Sequence, residues 1–458
     1  MLFCDRANYL DKKFHAISGM YSGIIRDFCV YNKGISGLGG LNIITGGMPN
    51  YTKITIAEDH DMSYHISGYG NFYEEAYIRF LGESVERYAG IVGHEYSKYR
   101  IEKASYNELT AKGKTVMPLE LMHNLSLKQL KKMHDNNPMY RTDWIKEDEE
   151  ISWVKAFSMN DPNKDIYVPA SLFFVGFMQE QIEMPAFTTG TACHENIYKA
   201  FINAIIEYVQ IDAFMIHWYS NYKKRKISFE SFPGHLKDAI YVSLGDNAEK
   251  YELLYVDYSD VAKVKIPIVG VFVMAKDEDV YPRIAFGVQA GTDMDTTLYR
   301  GTQEALAVLE MSTYTPINNP QIIKKARDDN NEFFDLDSNV AYYSIGKNEE
   351  ESRNHITQHI CKELSYEEYL SEFDAFIKNN DQYSEKEILK DLIKEINKIS
   401  KYGCFLDLTP EIDDPTMRVI RCFIPELMQM SFPGFPYVQN SSYKKEGVKI
   451  EYYPHPLP

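Results

Sequence analysis

Apolar and polar positions alternate along this chain at two periods, and each change of period marks an element. Alternation at every second residue in SGIIRDFCVY and KITIAED predicts two strands in a turn-rich opening, where glycines cluster at Gly34–Gly40. From Glu74 to Gly90 the spacing predicts a helix, preceded by the glycines of SGYG and capped at Gly90. Residues 103–150 are polar and read as an excursion of helix and loop. WVKAFSM and IYVPASLFFVGF predict strands, and TTGTACHENI leads into a helix from Ile197 to Tyr219. IYVSLG, KVKIPIVGVFVMA and RIAFGVQAG predict more strands, followed by a helix from Asp295 to Met311. Residues 366–401 hold two amphipathic helices. Ser384 and Glu387 form a capping box for the second, and Gly403 marks its stop. MRVIRCFIPEL is the clearest strand of the tail. A strand followed by a long helix recurs three times, which predicts repeated α/β layers.

Three of these helices carry polar stripes. Arg79, Glu83, Glu86 and Arg87 fall on one side of the first, at spacings of four, three and one. Asn203, Glu207 and Gln210 do so on the second, and Arg300 and Glu304 on the third. Each stripe runs among residues that should be buried: Leu81, Val85, Ile202, Ile205, Ile206, Ala305 and Leu306. Carboxylates rarely enter apolar surroundings without a cation or donor beside them. Several brought together repel, a repulsion that magnesium would cancel while arginines grip phosphate. Glu–Arg pairs at these spacings are also common surface ion pairs of little energetic weight. There is no Walker P-loop and no kinase glycine-rich loop with its catalytic Asp and Asn.

Bulk properties narrow the class. With 458 residues, 44% hydrophobic and 25% charged, the chain can build a large core in two or three subdomains. A net charge of -17 opposes nucleic-acid binding, which needs a basic surface. The short basic run Lys223–Lys226 reads as a solvated loop or helix end. Six cysteines form no C-x-x-C pair, so reduced thiols in a cytoplasmic setting are expected. The opening MLFCDRANYLDKKF meets charge too early for a signal peptide, and no apolar run reaches membrane-spanning length. The expectation is a cytoplasmic protein with no membrane contact.

The stripe-bearing segments resemble the YcaO family. SGYGNFYEEAYIRFLGESVERYAG is similar to its first nucleotide-binding motif, Gly-Lys-Gly followed by Ser-x-x-x-Glu-x-x-Glu-Arg. TTGTACHENIYKAFINAIIEYVQIDAF resembles the second, which ends Glu-x-x-Glu-Arg-Asp-Ala. GVQAGTDMDTTLYRGTQEAL resembles the third. MYSGIIRDF and VIRCFIPEL are also similar to family segments, and the ending PHPLP resembles the Pro-x-Pro-x-Pro tail of azoline-forming members. The resemblance covers nearly the whole chain, in order.

It implies an α/β YcaO fold: mixed sheets with packed long helices in repeated subdomain layers. Residues 1–65 would open the YcaO region, 66–400 would form its ATP-binding core with helical insertions, and 401–458 would end in the tail. The implied activity is ATP- and Mg2+-dependent cyclodehydration of Cys, Ser or Thr in a ribosomally made precursor peptide, through phosphorylation of the backbone amide oxygen. Glu83, Glu86, Glu207 and Glu304 would bind or orient magnesium. Arg79, Arg87, Asn203, Gln210 and Arg300 would serve the nucleotide. Pro454, Pro456 and Pro458 would fold back into the site, where the terminal carboxylate acts as a base or orients one. Implied partners are a ubiquitin-activating-like protein that captures the leader of the precursor, a flavin-dependent dehydrogenase and a second copy of the chain.

The sequence departs from the motifs at Tyr69 (for Lys), Arg79 (for Ser), Gln210 (for Glu), Ile211 (for Arg) and Val308 (for Gln). These departures bear on the phosphate contacts and the number of magnesium ions. They keep open a catalytically inactive scaffold subunit. The sequence is also compatible with a thioamide- or amidine-forming relative, and with an acidic hydrolase built on a carboxylate–metal site.

Overall fold

The computed structural model describes residues 2–19, 23–25, 29–32, 40–54, 65–328, 336–373, 377, 382–412 and 416–458. Its strands form three sheets. β1 (Cys29–Asn32), β2 (Asn42–Gly47) and β3 (His65–Gly70) make a small antiparallel sheet. A six-stranded antiparallel sheet runs β4 (Ile101–Ser105), β5 (Glu150–Ser158), β13 (Cys404–Asp407), β14 (Arg418–Phe423) and β7 (Thr191–His194), with β6 (Asp165–Pro169) also on β5. The five-stranded sheet runs β11 (Ile284–Ala290), β10 (Ile268–Ala275), β9 (Tyr251–Asp257), β8 (Lys224–Ile227) and β12 (Ile360–Leu364). It is mixed, because β12 pairs parallel to β8.

The helices are α1 (Leu2–Ile17), α2 (Tyr51–Ile54), α3 (Tyr73–Tyr96), α4 (Tyr106–Ala111), α5 (Leu127–Asn136), α6 (Ala170–Phe173) and α7 (Ile197–Trp218). They continue with α8 (Gly234–Leu244), α9 (Met294–Asn318), α10 (Pro320–Asp328), α11 (Leu336–Ser344), α12 (Glu349–Thr357), α13 (Tyr366–Ser371) and α14 (Glu385–Ile399). The three long helices join the sheets. α3 lies on β3 and reaches β7; α7 lies on β14 and β7 and touches β11; α9 lies on β11 and β10 and touches β3. The residues flanking their polar stripes are buried as expected, with Leu81, Val85, Ile205, Ala305 and Leu306 at 0% exposure.

Two glycines set how closely these helices approach their strands. A Cβ at Gly68 would overlap the Ala76 carbonyl and the Phe80 nitrogen, so α3 rests directly on β3. A Cβ at Gly287 would stand 2.5 Å from the Ala305 nitrogen and 2.8 Å from the Gly301 oxygen, so α9 rests directly on β11.

Several sequence expectations need correction. IYVSLG is not a strand: it ends α8, whose buried Leu236, Ile240, Ser243 and Leu244 follow helical spacing. A short apolar run carries too few positions to separate the two periods. In IYVPASLFFVGF the strand stops at Pro169, and a single helical turn follows. Gly90 caps nothing, because buried Ile91 and Val92 extend the apolar face and α3 runs on to Tyr96. The Asp295–Met311 helix likewise extends to Asn318. Of the basic run Lys223–Lys226, Lys223 is exposed in a loop, while Lys224–Lys226 lie in strand β8, with Lys224 only 1% exposed. The opening of the chain holds helix α1. The Ser384 capping box is present, but α14 ends at Ile399, before Gly403. Of the two expected N-terminal strands, Cys29–Tyr31 lies in β1, while Lys53 and Ile54 lie in α2. Ser22, Arg26–Phe28, Gly34–Gly39 and Thr55–Asp59 fall outside the described residues.

Candidate active site

The three stripes meet where α3, α7 and α9 converge, and their acidic side chains share one design. Each reaches across to a backbone N–H of the neighbouring segment. Glu83 Oε2 accepts from the Ser67 N–H of β3 at 2.9 Å. Glu86 Oε2 accepts from the Cys193 N–H of β7 at 3.1 Å. Glu207 Oε2 accepts from the Gly190 N–H at 3.1 Å. Glu304 accepts from the Val288 backbone N–H of β11. One oxygen of each carboxylate is thus fixed by the scaffold.

The fixed donors depend on local structure. Gly190 adopts φ +85°, and a Cβ there would meet Tyr208 Cδ2 at 2.6 Å and the Cys422 oxygen at 2.7 Å. Behind it, Arg421 is 1% exposed and donates to the Phe173 oxygen (3.0 Å), the Thr189 oxygen (2.6 Å) and Thr191 Oγ1 (2.9 Å). This guanidinium braces the turn that points the Gly190 N–H at Glu207. The sequence reading did not assign Arg421; its signal was a cation inside the apolar alternation of VIRCF.

Electrostatics set the cluster apart from ordinary surface pairs. Burial pushes the carboxyls of Glu86 and Glu207 up, against the opposing pull of Arg87, and the two acids raise the pressure on one another. Burial raises Glu304 to about 8, with Arg300 opposing and Glu207 and Glu83 adding. Among the described residues, no three His, Cys, Asp or Glu side chains stand close enough to hold one metal ion by themselves. That suits magnesium, which usually takes one or two carboxylates and completes its shell with water and phosphate oxygens.

The cations divide into held and open groups. Arg87 pairs with Glu83 at 3.2 Å. Arg79 donates to the Tyr69 oxygen (2.7 Å), Gln303 Oε1 (3.0 Å) and Glu75 Oε1 (2.6 Å), and lies over the Tyr69 ring at 5.4 Å. Arg300 forms no hydrogen bond or ion pair with any described residue. Burial and the neighbouring Arg79 charge both push its guanidinium down from the ordinary value. Glu304 and Tyr69 pull the other way, so Arg300 and Arg79 stand as two half-buried cations beside the carboxylates. Asn203 stands exposed on α7, one turn before Glu207.

Gln210 departs from the carboxylate design in an informative way. Its Oε1 accepts from the Ala290 N–H of β11 at 2.7 Å, so the side chain is fixed as the glutamates are. The remaining atom is an amide nitrogen, which donates and cannot ligate a metal.

The tail comes back into the protein. Residues 453–457 are buried, and His455 is 0% exposed, with Nε2 bonded to the Ser431 oxygen at 2.8 Å. Trp218 Nε1 donates to the Tyr453 oxygen at 3.0 Å, and the His455 ring packs against Phe214 and Tyr219. Tyr453 and His455 therefore bring the start of the PHPLP ending beside the C-terminal half of α7, the helix that carries Glu207; Pro458 is exposed.

Residues 67–428 match the family model described as YcaO cyclodehydratase, ATP- and Mg2+-binding. Among solved structures, a heterocyclase in complex with substrate and cofactor has a TM-score of 0.70 at 16% identity, covering 99% of this chain and 57% of that one. The YcaO protein from Methanopyrus kandleri bound with AMPPCP and Mg2+ gives 0.57 at 13% identity, covering 92% and 89%. The E. coli microcin synthetase McbBCD complex with pro-MccB17 bound gives 0.61 at 12% identity, covering 96% and 99%. At these identities the likeness is one of fold, and the chain spans a little over half of the first heterocyclase. No curated relative matches the chain. The match over most of its length places the chain in the YcaO family of ATP- and Mg2+-binding cyclodehydratases, with the mixed sheets and long packed helices of the YcaO fold.

Proposed function

We propose that this chain closes Cys, Ser or Thr side chains of a ribosomally made peptide into thiazoline or oxazoline rings. The observation that carries the reading is the convergence of four scaffold-fixed carboxylates and the open Arg300 guanidinium in a YcaO chain. Glu83, Glu86, Glu207 and Glu304 would hold or orient magnesium, with Glu83 also gripped by Arg87 through its second oxygen. Arg87, Arg300 and Asn203 would hold the nucleotide, with Arg79 steadying Tyr69 beside them. ATP, when bound, supplies the phosphoryl group that makes the peptide amide oxygen able to leave. The substrate thiol or hydroxyl attacks the preceding carbonyl carbon and gives up its proton. The amide oxygen departs on phosphate, and the net change is loss of one water.

The Pro454–Pro458 segment is the proposed proton-handling element. Its first residues lie beside the C-terminal half of α7, the helix that carries Glu207. Proline stiffness lowers the entropy cost of holding it there.

The precursor peptide, a ubiquitin-activating-like leader-binding partner, a flavin-dependent dehydrogenase and a second copy of the chain belong to this reading as proposed partners. The matched complexes, one with substrate and one a synthetase bound to pro-MccB17, support it. A second reading, an inactive scaffold subunit, draws on Arg79, which is engaged by Glu75 and Gln303, and on Gln210, whose only oxygen is occupied.

Calorimetric titration with ATP, with and without Mg2+, separates the two readings. Mg2+-dependent binding that is lost in Glu83→Ala and Glu207→Ala is the expected result, followed by loss of water from a Cys/Ser/Thr-rich test peptide. Absence of binding by the folded protein, alone and with its partner protein, would favour the scaffold.

A further inference from the structure

Helix α11 meets the tail with three side chains. Asn339, Tyr342 and Tyr343 all lie on α11, and each meets the segment with a hydrogen bond. Tyr342 Oη contacts Tyr453 Oη at 3.0 Å, and Tyr343 Oη donates to the Pro454 oxygen at 2.6 Å. Asn339 Nδ2 donates to two tail carbonyls, those of His455 at 2.5 Å and Leu457 at 2.7 Å. α11 packs on α9, the helix that carries Arg300 and Glu304.

Asn339 is 0% exposed, and its Oδ1 has no partner among the described residues. Both acceptors facing the amide are carbonyl oxygens, so the nitrogen must point at the tail and Oδ1 must point away. Every hydrogen bond this side chain makes is therefore spent on the tail, and a buried acceptor is left bare to make them. A residue needed only for core packing would be better served by an apolar side chain of the same shape. The two carbonyls flank Pro456. Prolines at 454, 456 and 458 leave the segment only two N–H groups, at His455 and Leu457, so carbonyls are the main feature by which the protein can recognise it. A single NH2 that spans carbonyls two residues apart fixes both the rotation and the register of the chain between them.

We propose that Asn339 is the positioning residue that fixes the register of Pro454–Pro458. Its consequence for chemistry rests on the reading of this segment as the proton-handling element. A slip of one residue would break both bonds and move the end of the segment by about 3 Å.

The test uses the full chain and two near-isosteric variants, Asn339→Leu and Asn339→Asp, with Tyr343→Phe as a milder change at the other end. Hydrogen exchange of the C-terminal peptide reads the His455 and Leu457 amides directly. Asn339→Leu should exchange at least tenfold faster there, with at most a small fall in melting temperature, because the bare Oδ1 is gone while the two buried carbonyls lose their donor. Asn339→Asp should also exchange faster there, because its buried carboxyl either ionises and repels both carbonyls or takes up a proton and donates to only one of them. Tyr343→Phe should loosen the His455 amide more than that of Leu457. Calorimetric affinity for ATP with Mg2+ should stay within twofold in all three. Unchanged tail exchange would overturn the proposal, as would faster exchange spread over the whole chain with a large fall in melting temperature. If the unmodified protein binds no ATP, the function reading fails, while the exchange result still decides the role of Asn339.

Discussion

Two clusters of part-buried charge in this molecule are built to opposite ends. In the five-stranded sheet, Arg225 Nε donates to Asp257 at 2.8 Å, and its Nη1 and Nη2 donate to Glu372 at 2.8 and 3.0 Å. The Asp257 carboxylate is 0% exposed and also accepts from the Ser259 N–H at 2.7 Å. Nothing there awaits a ligand. At the convergence of α3, α7 and α9, each carboxylate has one oxygen held by a backbone N–H, and Arg300 is opposed by the charge of Glu304 without a hydrogen bond to it. Both clusters hold charge away from open solvent, so burial alone does not identify a site. The distinguishing property is unfinished pairing: the first cluster is complete, and the second leaves carboxylates and a guanidinium where magnesium and phosphate are proposed to bind.

The largest effect should come from breaking the complete cluster. Arg225→Met would strand the buried Asp257 carboxylate and cost about 3–5 kcal/mol of stability, read by thermal or denaturant unfolding. Next, saturating ATP with Mg2+ should stabilise the protein by about 2.7 kcal/mol at one hundred times the dissociation constant, and Glu207→Gln should abolish that gain. The complete cluster predicts no such ligand response. Arg300→Met should leave the melting temperature unchanged or raised, because no existing bond is lost. It should weaken ATP binding at least tenfold, about 1.4 kcal/mol. A clear fall in melting temperature would place Arg300 with Arg225 and end the contrast.

The smallest effect should come from Gln210→Glu, which keeps the Ala290 contact and adds a second oxygen. Stability without ligand should fall by roughly 1 kcal/mol or less from added repulsion. ATP affinity should become more steeply dependent on Mg2+ concentration, and an unchanged slope would show that this position faces no metal.

The sequence made the helices of the site legible because a stripe at steps of three and four needs only local geometry. Glu83, Glu86, Glu207 and Glu304 all lie on helices found that way, beside the predicted buried neighbours. The donors that hold them were not legible. Ser67, Cys193, Gly190 and Val288 contribute backbone N–H groups, which carry no side-chain signature. Arg421 braces the site from a strand more than two hundred residues beyond Glu207. β8 was misread because its basic residues suggest solvent, yet Lys224 is buried under α12 through the His355 carbonyl and over the Trp218 ring. The PHPLP ending gave the segment but not Asn339, which lies on a helix whose spacing the sequence reading did not pick out.

Gly68 and Gly287 bear no chemistry, yet they are the spacers of the machine. α3 and α9 each sit against a strand where a side chain is missing, and those contacts help set where the glutamates they carry stand. A methyl group at either position would push an entire helix outward by a fraction of its own diameter, carrying a carboxylate with it. A mutational survey should therefore find its most intolerant positions partly at these two silent glycines. The gap that an ion and a triphosphate must span has been measured out by atoms that are not there.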